Sequence, residues 1–341
     1  MRLLILTHSL PPSGGAQKVA WELAKESAKK YETHIITYGK IKEKIIIDNV
    51  TVHFLPQVKH SLRFYLTTGK KEIIKLYREI SPDIINAHGI TVFSHVLRKQ
   101  KRVKKIATFH HSYPQCYQWS KIRQFKFNYF FKKTINNYEI LTTVSKHMQE
   151  YFVTTFKKKV LLIENGYNDI DFYLLSNIKR ERKSILFVGQ LTIAKGVDIL
   201  FKLANLLPEY EFYFAGGYGA LKNSIKSKNI HFLGAKIPEE LNELYNTCEY
   251  SIFPSKYENF PLVGIEAMSC GSIVIASNKG FDQYINNREN GFIIKEPDEY
   301  KILKVLLENK DIEAIRKKAL ETIKEFSWKQ IFERYLKLYE N

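Results

Sequence analysis

The sequence predicts an α/β protein of two doubly wound halves, each a parallel sheet covered by helices on both faces. Three observations carry that expectation. Short apolar runs alternate with amphipathic stretches along the chain. Its 341 residues are more than one domain of ordinary size needs. Charge divides it: residues 1–182 hold 32 Lys and Arg against 14 Asp and Glu, whereas residues 183–341 hold 21 of each. The net charge of +18 therefore lies wholly in the first half, which predicts two domains with separate tasks, one facing something anionic.

Residues 3–7 form a short apolar run, followed by the loop His8-Ser9-Leu10-Pro11-Pro12-Ser13-Gly14-Gly15 and a helical pattern over 16–30, in the order strand, glycine loop, helix. The strand signal repeats at 33–38, 50–55, 83–88, 105–110, 140–145 and 160–164, with amphipathic stretches between most of them. A second series runs through 184–189, 211–215, 230–233, 250–254 and 273–276. These are two Rossmann-like halves. The polar stretch from Asn165-Gly166 to the run Lys179-Arg180-Glu181-Arg182-Lys183 reads as a linker, so the expected domains are residues 1–180 and 181–320. Residues 327–339 read as a helix with Trp328, Ile331, Phe332, Tyr335, Leu336 and Tyr339 on one face.

Hydrophobic residues at 45% and charged residues at 26% exclude a disordered chain. Cys116, Cys248 and Cys270 are odd in number and scattered without metal-ligand spacing, which predicts reduced thiols in a cytosolic protein. The apolar run at the amino terminus is too short for a secretory signal, and no segment reaches the roughly 18 apolar residues of a membrane span. Membrane contact is expected to be peripheral.

The most specific constellation runs from Pro254 to Gly271 and sets Glu258 and Glu266 eight residues apart across a strand-to-helix turn. A helix opening near Phe260 or Pro261 turns its free N–H groups and positive dipole end toward a phosphate, with Glu266 about two turns in. Carboxylates flanking an anion site suit a sugar nucleotide, whose hydroxyls want acceptors.

This run resembles the Glu-x7-Glu motif of the retaining glycosyltransferases of family 4. Further stretches agree with that family in order: Gly14-Gly15, Val144-Ser145-Lys146, Ile163-Glu164-Asn165-Gly166-Tyr167-Asn168, Phe187-Val188-Gly189-Gln190-Leu191 with Lys195-Gly196, Ala215-Gly216-Gly217-Tyr218-Gly219 and His231-Phe232-Leu233-Gly234. The resemblance implies a GT-B fold, two facing Rossmann-like domains with residues 321–341 crossing back to the first. It implies that Glu258 bonds hydroxyls of the transferred sugar and Glu266 those of the ribose. Backbone amides near Phe260 and Leu262, with Lys195, would hold the diphosphate. Preorganised donors and a cation there would stabilise the charge gained by the leaving group. The family's arginine after "vG" is Gln190 here, which can donate a hydrogen bond but brings no charge, leaving Lys195 as the main side-chain cation. Gly216 fits the first position of the family's second glycine loop.

In the first half, Thr108-Phe109-His110-His111 follows a strand and is expected at the carboxyl end of the sheet, where such folds bind ligands. By resemblance His110 contacts donor sugar or acceptor, with His111 a less favoured substitute. His88 reads as a structural histidine and His8 is open. Gly15 lacks a Cβ, which would let backbone approach a phosphate or sugar. Asp169-Ile170-Asp171 has a metal-binding spacing but sits in the hinge without further ligands, so no metal or other cofactor is expected.

Residues 98–105 are dense in cations, and residues 121–133 mix five cations with five aromatics. These segments predict a surface for anionic lipid or a diphosphate-linked lipid acceptor, or else aromatics packed in the core with lysines reaching outward. The expectation is thus a cytoplasmic hexosyltransferase, peripheral on the inner face of the cell membrane. It would move sugar from a nucleotide diphosphate sugar to a glycan or lipid-linked acceptor with retention of configuration. The alternatives are a sugar-nucleotide epimerase of the same fold, a nucleic-acid-binding or DNA-modifying protein, for which +18 is the only sign, and an inactive scaffold suggested by Gln190.

Overall fold

The computed structural model describes residues 1–10, 14–56, 68–110, 121–217, 227–308 and 311–341. His111, Cys116, Tyr218 and Gly219 lie outside the described residues. The chain forms two compact units, Met1–Asn165 with Trp328–Asn341, and Gly166–Ser327.

The first unit runs β1 (Arg2–Ser9), α1 (Gly15–Ala28), β2 (Glu32–Gly39), β3 (Glu43–Ile47), β4 (Val50–Pro56), α2 (Thr68–Ile80), β5 (Ile84–His88), α3 (Val92–Leu97), β6 (Lys104–Phe109), α4 (Lys121–Ile135), β7 (Ile140–Thr143), α5 (Lys146–Phe156) and β8 (Leu161–Leu162). The sheet order is β3-β4-β2-β1-β5-β6-β7-β8, parallel throughout except for β3. Leu3, Leu4, Ile5 and Leu6 are all fully buried, because a central strand covered on both faces needs a continuous apolar run. The edge strand β3 escapes the strand pattern because its side chains face solvent on both sides. The strand expected over 140–145 stops at Thr143, since the Ser145 hydroxyl caps α5 by accepting from Met148 N at 3.2 Å.

The second unit runs β9 (Glu181–Val188), α6 (Val197–Leu206), β10 (Glu211–Ala215), β11 (Ile230–Gly234), α7 (Pro238–Thr247), β12 (Cys248–Phe253), α8 (Leu262–Ser269), β13 (Ile273–Ser277), β14 (Phe292–Ile294), α9 (Glu299–Glu308) and α10 (Ile312–Ile323). Its parallel sheet has the order β11-β10-β9-β12-β13-β14. The last helix, α11 (Trp328–Glu340), belongs to the first unit. It buries Trp328, Ile331, Phe332, Tyr335 and Tyr339 there, with Leu336 half-buried. The Tyr339 hydroxyl accepts from Asn86 Nδ2 at 2.9 Å, while Asn86 Oδ1 accepts from Thr108 and Thr108 from Thr142 at 3.0 and 2.9 Å. This polar ladder crosses three buried strands and is satisfied at each rung.

The boundary lies at Asn165/Gly166, not near residue 180. Residues 166–180 mix polar and apolar side chains, with Tyr167 and Phe172 buried, and they are fixed to the second unit: Tyr173 N and Leu175 N donate to Asn242 Oδ1 and Asn246 Oδ1 at 3.1 and 2.8 Å, and Arg180 Nη1 donates to the carbonyls of Tyr245 and Cys248, both at 3.0 Å. The return crossing likewise follows Ser327, not residue 320, because Tyr167 N donates to Phe326 O at 2.9 Å and Tyr167 bridges Ser327.

Candidate active site

Most of the singled-out residues belong to the second unit, on loops at the carboxyl ends of its strands. The turns after β9 and β10 touch, with Gly189 N donating to Ala215 O at 2.9 Å and Leu191 N to Gly217 O at 3.3 Å, and Gly216 N donates to Gly234 O at the end of β11 at 2.7 Å. A Cβ on Gly216, whose φ is +155°, would lie 1.8 Å from Gly189 O, so only glycine permits this approach. Gln190 is exposed beside it. The chain then makes a 3-10 turn over Ile193–Lys195 and enters α6 through Gly196 in the left-handed region, φ +73°. A Cβ at Gly196 would meet Pro254 O at 2.2 Å, and Lys256 N donates to Ala194 O at 2.9 Å.

These two contacts tie the loop after β9 to the loop after β12. They bring Lys195 Nζ into an ion pair with the Glu258 carboxylate. The lysine side chain keeps 34% exposure and the glutamate 17%, so the pair is reachable from solvent. The two residues expected to engage a donor thus stand together, joined to each other.

Pro261 is the N-cap of α8, and no side chain caps that helix. Its first-turn N–H groups, from Leu262 onward, have no acceptor within the helix. Phe260 is buried against Tyr284 and Phe326 at ring separations of 5.2 and 5.9 Å, and Leu262 is half-buried. Glu266 stands in the second turn with only 4% exposure. The sequence gives no sign of Tyr284, which shapes this turn: its hydroxyl donates to Pro261 O at 2.7 Å, and a Cβ on Gly264 would lie 2.1 Å from it. Burial, and secondarily the charges of Glu258 and Glu266, push the Tyr284 hydroxyl well above its ordinary pKa, which keeps it a donor.

Asp169 and Asp171 lie in a local turn in which Asn168 Nδ2 donates to Asp171 Oδ2 at 3.0 Å and Asn168 Oδ1 accepts from Ile170 N at 3.1 Å. Among the described residues no three His, Cys, Asp or Glu gather as metal ligands. Cys248 and Cys270 are buried thiols, both pushed up to about 12 chiefly by burial, which suits packing more than nucleophilic chemistry.

In the first unit, β5 and β6 deliver His88 and His110 to one place. His88 Nδ1 lies 3.0 Å from His110 Nε2, with the rings stacked at 5.2 Å and both residues buried. Burial pushes His88 down to about 3, so it is neutral at physiological pH. Gly15 opens α1, which has no side-chain cap, and a Cβ there would meet no described atom within 4 Å. His8 is exposed and lies edge-on to Tyr38.

The cation run 98–105 does not form a single outward face. Arg98 Nη1 donates to His95 O, and Lys105, 9% exposed, donates through Nζ to Gln100 O at 2.9 Å and Arg98 O at 3.3 Å. Both turn inward to carbonyls at the end of α3, as cations near a helix C-terminus do. Lys99, Lys101 and Arg102 stay exposed.

The fold is that of the GT-B glycosyltransferases: the structure of Anabaena HepE in complex with UDP and glucose matches with a TM-score of 0.80 at 15% identity, covering 99% of each chain. Residues 175–324 match the family model "Glycosyl transferases group 1" and residues 13–169 the model "Glycosyltransferase Family 4". The chain thus carries two glycosyltransferase domains, each matched by its own family model. It is 28% identical to an uncharacterized glycosyltransferase of Methanocaldococcus jannaschii, over 98% of this chain and 95% of that protein. It is 25% identical to the O-antigen biosynthesis glycosyltransferase WbnH of Escherichia coli, over 96% and 95% of the two chains.

Proposed function

We propose that the protein transfers a hexosyl group, with retention, from a nucleotide diphosphate sugar to a glycan or lipid-linked acceptor in cell-surface glycan or glycolipid synthesis. One observation carries the reading: the uncapped N-terminus of α8 and the Lys195–Glu258 pair stand on loops tied together at the carboxyl ends of one sheet. In this reading the diphosphate takes the free N–H groups of Leu262 and its successors. Lys195 turns from Glu258 to the diphosphate, and the released carboxylate accepts from sugar hydroxyls. Glu266 accepts from the ribose. Charge growing on the leaving diphosphate is met by donors already in place. Retention then follows from attack on the face that the nucleotide leaves, with the diphosphate oxygen taking the acceptor's proton.

His110 and the α1 start at Gly15 contribute contacts to sugar or acceptor in the first unit, which also meets an anionic membrane surface through its cations. The UDP and glucose in HepE and the O-antigen role of WbnH support the substrate classes. Incubation with UDP, GDP, ADP and dTDP sugars, with and without acceptor, tests the reading by nucleotide release and thermal stabilisation. A response to at least one donor is expected, with transfer requiring acceptor. Conversion of donor without acceptor would mark an epimerase, and silence toward every donor would overturn the proposal.

A further inference from the structure

We infer that the outer face of α4 (Lys121–Ile135) is a docking surface for a bilayer carrying anionic lipid. The inference deepens the membrane part of the proposed function and does not depend on the transfer chemistry.

At 3.6 residues per turn, positions 125, 129, 132 and 133 share one arc of this helix, and 131, 134 and 135 share the opposite one. Phe131, Thr134 and Ile135 are buried in the core. Phe130, at the margin, stacks on His95 at 4.0 Å. The core is thus completed without Phe125 and Tyr129, which remain 74% and 64% exposed. Lys132 and Lys133 are exposed on the same arc, with Lys133 Nζ 5.7 Å from the Tyr129 ring centre. Two bare aromatic rings among lysines suit the headgroup region, where rings enter the acyl boundary and ammonium groups stay with phosphate.

Packing gathers further charge here. Helix α3 is fastened to α4 and its exit by His95 Nδ1 to Thr134 Oγ1 at 2.7 Å and by the Tyr138 hydroxyl donating to Ser94 O at 3.0 Å. The exposed Lys99, Lys101 and Arg102 follow directly from α3. Residues 84–138 contain eleven Lys and Arg and no Asp or Glu, so no carboxylate within this stretch offsets the field. Each cation near an anionic leaflet strengthens binding about fivefold. Among the described residues no helix is long and apolar enough to cross a membrane, which fits attachment at the surface. A duplex nucleic acid would use the same cations but gains little from the two rings.

Sedimentation of the full chain with vesicles of phosphatidylcholine, with and without about one third phosphatidylglycerol, tests this. The protein should bind the anionic vesicles and not the neutral ones, less so as salt rises. Lys132→Gln with Lys133→Gln should weaken binding roughly tenfold or more at low salt and flatten the salt dependence. Phe125→Ala with Tyr129→Ala should weaken it by about tenfold at low and high salt alike. All four residues are exposed, and unchanged thermal unfolding would confirm that the variants fold. If the wild type binds but both double variants match it, the face is wrong while membrane association stands. If the wild type ignores anionic vesicles, or prefers duplex DNA at matched ionic strength, both the face and the membrane reading fall.

Discussion

Lys195 and Glu258, 63 positions apart, are ion-paired across two loops of the second unit. The pair is partly solvent-exposed, so it contributes little to stability. In the proposed reaction a donor with phosphates for the lysine and hydroxyls for the carboxylate separates the two. Lys195→Ala is accordingly expected to lower kcat by roughly a hundredfold or more with little change in unfolding temperature. Steady-state kinetics beside a thermal scan check this, and unchanged turnover would remove Lys195 from the chemistry.

Glu266 and Glu258 differ in burial, 4% for the residue against 17% for the side chain, and their losses should differ in kind. Glu266→Gln is expected to weaken nucleoside diphosphate binding by about tenfold. Glu258→Gln should reduce transfer while that binding holds. Calorimetric titration of the diphosphate into both variants separates the two, and equal losses of affinity would contradict the division.

Gln190 is exposed beside the Gly216 turn, at the position where the resemblance to family 4 implies arginine. Gln190→Arg adds a charge-assisted donor at that edge and should lower the donor KM several-fold, by about 1 kcal/mol. A higher KM would show that the glutamine has its own contact with the donor.

Lys105 and Lys101 lie four positions apart and should answer oppositely to the same change. Lys105→Gln loses a cation from two inward carbonyls and should cost about 1–3 kcal/mol in urea unfolding. Lys101→Gln, on the exposed part of the run, should change stability by less than about 0.5 kcal/mol.

His88 is held neutral by burial, with its pKa down at about 3 from 6.5. Between those values the unfolded chain binds a proton that the native fold refuses, so the site's contribution falls as pH drops below 6.5. At pH 5 the loss is about 2 kcal/mol from this residue. His53 and His95, each near 4 chiefly through burial, act in the same direction. Urea unfolding at pH 7 and pH 5 should show wild type weakening more than His88→Gln. Equal weakening would mean that His88 is protonated in the fold.

Local patterning made much of the chain legible in sequence. The strands at 3–7 and 211–215 could be read because a buried parallel strand must be apolar along its whole length, whatever surrounds it. The loops carrying Gly216, Lys195 and Glu258 could be read as motifs because close backbone approach restricts residue type at Gly216 and Gly196. The pairing of Lys195 with Glu258, the inward turn of Lys105 and the attachment of residues 166–180 to the second unit were decided only by tertiary structure. Each depends on a hydrogen bond or charge supplied by a distant segment, and a charged or polar side chain looks the same in sequence whether it faces water or a carbonyl. The face of α4 was decided the same way: five aromatics within thirteen residues gave no stripe, and contact with α3 and the core selected which rings were buried and which were left bare.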